Sequence, residues 1–195
     1  NMGAMRPDKF WAFIDAGYHY QYMINTLQLN NGNGTFSEVA QMAGVAKTDW
    51  SWAAMIEDLD NDGWNDMYIT NGTTRDVRNN DANINIAKLH AETGGNTGFE
   101  TAVGMMPLTL VANVCYRNDG AQSDGLHFAD VTKDWGLHEP STCHGLAVVD
   151  LDRDGDLEMV MNRADAIASL FENHQREQAT DHFLRIRLEG PDKNR

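Results

Sequence analysis

Short apolar runs bounded by Asn, Asp and Gly recur along this chain, and runs of that length between turn formers predict strands. The clearest set spans 51–59, 66–71, 113–118 and 127–132. A second set spans 145–151, 157–163, 168–173 and 182–189, while strands at about 25–30 and 35–40 read as the second half of an earlier unit. The segment 73–112 fits no unit. It is an insertion between the second and third strands of the clearest set, and NNDANINIAKLHAE within it predicts a short helix. Insertions of this kind often carry binding specificity.

The units are copies. Phe36 lies 22 residues before Asp58, as Phe128 does before Asp150, and Gly44 and Gly136 each lie 14 before the same acids. An offset of 92 therefore aligns FSEVAQMAGV (36–45) with FADVTKDWGL (128–137) and runs ungapped through the strands beyond. NTLQLNNG (25–32) corresponds to NVCYRNDG (113–120) with about four extra residues before the second phenylalanine, and SLFEN (169–173) is a weaker third echo. Repeated four-stranded antiparallel units predict an all-β fold, a β-propeller arc of about two and a half blades within a larger ring of typically four to eight. In that organisation, residues 1–24 form an N-terminal segment, 25–181 the blades with their insertion, and 182–195 a last blade strand and the opening of a further segment.

The same frame carries the candidate chemistry. Asp58-Leu-Asp60-Asn-Asp62-Gly63-Trp64-Asn-Asp66 recurs as Asp150-Leu-Asp152-Arg-Asp154-Gly155-Asp156-Leu-Glu158. Carboxylates at positions 1, 3, 5 and 9 of so short a turn repel one another unless a cation sits among them. Calcium accepts six to eight oxygens at flexible angles, so these side chains plus a position-7 carbonyl, from Trp64 or Asp156, nearly complete its shell; magnesium is stricter. Gly63 and Gly155 at position 6 let the backbone reverse. An EF-hand needs a carboxylate at position 12 and a helix on either side, but position 12 is Ile69 or Met161 and the flanks read as strands. The expectation is two Ca2+ sites, each on a loop between strands.

NTLQLNNGNGTFSEVAQMAGVAKTDWSWAAMIEDLDNDGWNDMYITNG (25–72) and YRNDG (116–120), FADVTKDWGL (128–137) and GLAVVDLDRDGDLEMVMN (145–162) resemble FG-GAP/VCBS repeats of the cartilage-acidic-protein-like group. HFLRIRLEGPDKNR (182–195) resembles the opening of the ASPIC/UnbV segment that comes after such repeats. The resemblance implies an exported, calcium-binding β-propeller without catalysis. Glu158 departs from the usual Asp at position 9, which lengthens the reach of that side chain and puts its denticity in question.

Composition agrees. A net charge of -14 disfavours nucleic acid and anionic membrane surfaces as partners. Nine of the 29 acidic residues lie in the two loops, so the acidity is partly a metal site. No apolar run of membrane-spanning length and no signal-peptide core is present, so no membrane insertion is expected. Loops of this kind suit millimolar external calcium better than cytosolic levels, which implies an extracytoplasmic location.

Other features carry less. Cys115 and Cys143 permit one disulfide or a pair of buried thiols, and Cys143 beside His144 on a strand points to the opposite face, against a nucleophile pair. The seven histidines show no zinc-ligand spacing. Trp50, Trp52, Trp64 and Trp135 are expected to pack between blades in preference to stacking on sugar rings. Asn33 and Asn71 fit a glycosylation pattern, but both stand where a turn wants Asn-Gly. The leading expectation is a non-enzymatic module for protein or carbohydrate interaction with calcium in a structural role. The alternatives are an accessory subunit of a larger extracytoplasmic complex and part of a glycan-processing enzyme.

Overall fold

A computed structural model describes residues 7–120, 126–164, 166–175 and 186. Nine short strands form three antiparallel sheets among these residues. β1 (Gln28–Asn30) and β2 (Phe36–Glu38) make a hairpin. β3 (Ser51–Glu57), β4 (Asp66–Asn71), β5 (Val114–Asn118) and β6 (Phe128–Asp130) make a four-stranded sheet in that order. β7 (Leu146–Val149), β8 (Glu158–Met161) and β9 (Ser169–Phe171) make a third sheet. The strand expected over 182–189 and the segment after it lie outside the described residues, Ile186 apart.

The repeat is visible in the register. Asn30 pairs with Phe36 and Gln28 with Glu38, as Asn118 pairs with Phe128 and Tyr116 with Asp130. After each hairpin the chain closes a tight turn with the same backbone bonds, from Val45 N–H to the Ala40 carbonyl (2.9 Å) and from Leu137 N–H to the Thr132 carbonyl (2.8 Å). Gly44 and Gly136 hold these turns at φ 79° and 74°, a region that suits a residue without Cβ. β3 and β7 stop short of the predicted strands at the acidic loops, where Asp66 and Glu158 side chains accept the Leu59 and Leu151 N–H groups, while β4 spans the predicted 66–71.

Three helices accompany the sheets. In the 73–112 insertion, α2 (Asn80–Glu92) is the helix expected there, started by Asn79, whose Oδ1 accepts the Ala82 N–H at 2.9 Å. α3 (Phe99–Gly104) comes after it. α1 (Pro7–Asp15), in the N-terminal segment, was not expected; Pro7 pre-sets its first turn and Phe10, Phe13 and Ile14 recur at helical spacing.

Two apolar clusters join neighbouring sheets. Ala40, Ala43 and Val45, from the turn after β2, pack on Met67, Ile69 and Tyr116 of the second sheet. Leu59, Tyr68, Cys115 and Val131 of the second sheet pack on Met159 and Met161 of the third, with Leu137 and Cys143 between. The second and third sheets thus bury apolar residues against each other, whereas the strands of the first hairpin stay exposed and the turn after it makes the contact. Met161 is 3 % exposed in this junction, whereas Leu170 on β9 is 60 % exposed. Met161→Ala is expected to lower unfolding free energy by about 2–5 kcal/mol, and Leu170→Ala to change it by less than about 0.5 kcal/mol. Urea denaturation followed by far-UV circular dichroism measures both, and equal effects would contradict this placement of the core.

Candidate metal centre

Each acidic loop is the turn of a hairpin, joining β3 to β4 and β7 to β8. In the first, Asp58 accepts the N–H groups of Asp62 (3.1 Å, on Oδ1) and Gly63 (2.9 Å, on Oδ2), and Asp62 Oδ1 accepts that of Trp64 at 2.8 Å. The loop is therefore wound about its own carboxylates. Asn61 (φ 58°) and Gly63 (φ 91°) make the reversal, matched by Arg153 (φ 70°) and Gly155 (φ 103°) in the second loop. There, Asp152 Oδ1 accepts the Asp154 N–H at 3.1 Å and Asp154 Oδ1 accepts that of Asp156 at 2.9 Å.

The structure gathers Asp58, Asp60 and Asp62 so that one oxygen of each lies within 4.8 Å of the others, and does the same with Asp150, Asp152 and Glu158. Position 9 distinguishes the loops. Asp66 accepts the Leu59 N–H at 3.0 Å with Oδ2 and the Asn118 N–H of β5 at 2.9 Å with Oδ1, so both oxygens serve the backbone and it stands outside the first group. Glu158 Oε2 accepts the Leu151 N–H at 2.7 Å, the counterpart of the Leu59 bond, and the longer side chain brings Glu158 into the second group. Asp154 stands outside that group, as does the carboxylate of Asp156, and Trp64 contributes its backbone to the first loop while its indole lies half exposed beside Gly120.

Burial makes these loops electrostatically demanding. The Asp60 carboxyl is held above its usual range, by desolvation first and by Asp62 and Asp58 as well. Asp66 is pushed up to about 6, chiefly by desolvation, against the lowering effect of the Asn118 and Leu59 N–H groups. Asp60 Oδ1 and Glu158 Oε1 are buried oxygens that receive no hydrogen bond among the described residues. Converging carboxylates with a buried acceptor lacking a donor are the chemistry a hard cation satisfies.

The loops also touch. Asn61 Nδ2 donates to Asp156 Oδ1 at 2.7 Å, and Asp156 is fully buried. Asn173, just past β9, donates from Nδ2 to the Leu59 carbonyl at 2.7 Å. Asn61, Asn118 and Asn173 are absent from the sequence-derived set because their roles depend on contacts between strands far apart in the chain. The position-4 location of Asn61 inside the loop was the one available signal.

The remaining sequence candidates separate. Cys115 and Cys143 are both free thiols buried in one cluster, with no bridge between them, and His144 is exposed beside the buried Cys143. Asn71 is fully buried and donates to the Ala112 carbonyl, so its glycosylation pattern is a turn and not an acceptor. Trp135 packs on the apolar core as expected, but Trp52 does not: it is 50 % exposed, because the alternation along β3 turns Trp52, Ala54 and Ile56 outward.

Residues 5–69, about a third of the chain, match the FG-GAP-like repeat family. The matched stretch includes the first acidic loop, and with it the antiparallel sheets are consistent with a propeller-like fold. No curated protein matches the chain significantly.

Asn61→Ala removes the amide donor from the buried Asp156 carboxylate and is expected to cost about 1–3 kcal/mol in chelator, measured by urea denaturation; an unchanged midpoint would show that the loops are not joined by this bond. A pH titration tests Asp66. Its folded pKa of about 6 exceeds the ordinary 3.8, so the folded state holds the proton more tightly between these values. Its stabilising contribution is present below the lower value and lost as pH rises through the upper one. Without divalent ions, the urea midpoint of the wild type is expected to rise as pH falls from about 7 to about 5, and the increment to shrink in Asp66→Asn, with the raised Asp60 carboxyl supplying a remainder.

Proposed function

We propose that this chain is part of a non-enzymatic, calcium-binding β-propeller module of the ASPIC/UnbV-associated FG-GAP/VCBS type, working outside the cytoplasm. The observation that carries the metal is the pair of buried oxygens, Asp60 Oδ1 and Glu158 Oε1, set among carboxylates that converge within 4.8 Å. In the first site Asp58, Asp60 and Asp62 hold the ion, with Asp66 positioning the loop; in the second Asp150, Asp152 and Glu158 do so. Backbone carbonyls of Trp64 and Asp156 supply further oxygens. When bound, calcium neutralises the mutual repulsion of these carboxylates and fixes the hairpin turns. Its role is to hold shape, since the loop acids are engaged in winding and closing the turns themselves.

The sheets act as blades, about two and a half of them, and the rim with the 73–112 insertion contacts a protein or carbohydrate partner. Among the described residues no helix is long and apolar enough to cross a membrane.

Thermal unfolding in millimolar calcium and in chelator tests the metal. A ligand that binds only the folded state stabilises it by about 2.7 kcal/mol at a hundredfold excess over its dissociation constant. The wild type is expected to show a calcium-dependent rise in melting temperature, and Asp60→Ala and Asp152→Ala each to lose part of it. An equal melting temperature with and without calcium in all three proteins would overturn the proposal.

A further inference from the structure

Outside the acidic loops, aromatic rings line up along one edge of the second sheet. Trp50 and Trp52 have ring centroids 6.4 Å apart, and His144, from the approach to β7, lies 4.5 Å from Trp52. Trp52 is locked in orientation, its Nε1–H donating to the Gly72 carbonyl at 2.7 Å, although half of its surface faces solvent. A large exposed aromatic held rigid by such a bond has already met the ordering cost of binding.

The strip opens at Trp50 onto a cavity of about 450 Å³ whose wall includes Tyr22, Asn25, Lys47, Asp49 and Arg78. Arg78 comes from the 73–112 insertion. It pairs with Asp49 at 3.0 Å and Asp76 at 3.7 Å, and its guanidinium lies over the Trp50 ring at 5.6 Å. The insertion therefore finishes the cavity, and the fork of Asp49 and Arg78 presents acceptors and donors already fixed in direction.

We infer that this strip and cavity form a binding site for a neutral oligosaccharide, with Trp52 as the stacking platform and Asp49 and Arg78 as hydrogen-bonding partners for ring hydroxyls. A pyranose has an apolar C–H face and a rim of hydroxyls, and the site offers aromatic faces ringed by polar side chains. An apolar peptide seated there would desolvate Lys47, Asp49 and Arg78 without offering them partners. An anionic polysaccharide is disfavoured by the net charge of -14 and by the two carboxylates that already neutralise Arg78. The inference rests on the interaction-module reading and narrows its partner to one chemical class and one site.

Isothermal titration of the calcium-loaded full chain with cellotetraose, mannotetraose, N-acetylchitotetraose and tetragalacturonate tests it. Saturable binding of at least one neutral sugar is expected, weakened about tenfold in Trp52→Ala and largely kept in Trp52→Phe. Trp11→Ala, in the exposed aromatic helix α1, should bind like wild type. Absence of saturable heat with all three neutral sugars, binding of the galacturonate alone, or undiminished binding by Trp52→Ala would overturn the inference. Melting curves on the same preparations separate the two proposals. A calcium shift without sugar binding overturns only the saccharide site, and sugar binding without a calcium shift overturns only the metal.

Discussion

Everything in this structure turns on how carboxylates are kept close together at the tips of two hairpins. Like charges so near one another favour an open loop, and the chain opposes this by folding the loop's own N–H groups onto them. Asp58 takes two such groups, Asp62 one, and Asp66 closes the turn by accepting from Leu59 across it. Asp58 and Asp66 use both of their oxygens in these bonds and Asp62 one, while one oxygen each of Asp58, Asp60 and Asp62 still lies within 4.8 Å of the others. The loop is thus both a strand connector and a concentration of partly desolvated negative charge.

At position 9 the two loops differ by one methylene, with a consequence for how each is completed. Asp66 is consumed by β5, because Asn118 reaches back to its second oxygen. Glu158 closes its own turn with one oxygen and keeps the other inside the acidic group. The first loop is therefore tied to its own sheet through its position-9 residue, whereas the position-9 residue of the second belongs to the converging acidic group. Asn61 then links them, since its amide bonds the carboxylate of Asp156 in the other loop. A change of conformation in either loop is felt by the other through that bond.

Much of this was legible in the sequence. The 92-residue frame marked by Phe36 and Phe128, and by Gly44 and Gly136, located the hairpins and both acidic loops because turn chemistry and alternation are local properties. Bonds between distant strands were not legible. Nothing near Asp66 announces that Asn118 will take its second oxygen, and nothing near Trp52 announces that its face of β3 is left uncovered. The helix α1 does have a local signal in Phe10, Phe13 and Ile14 at helical spacing, but it lies outside the strand frame, although the FG-GAP-like match begins at residue 5 and includes it.

The junctions between sheets have one further consequence. One apolar cluster joins the first hairpin's turn to the second sheet and another joins the second sheet to the third, so cohesion passes from neighbour to neighbour. The second junction is also clasped at its acidic end by Asn61 and Asn173. Under mechanical tension, such a chain yields in discrete steps, shedding sheets one after another instead of rupturing at once. The clasped pair is expected to part last, with the acidic loops at the point where it is clasped.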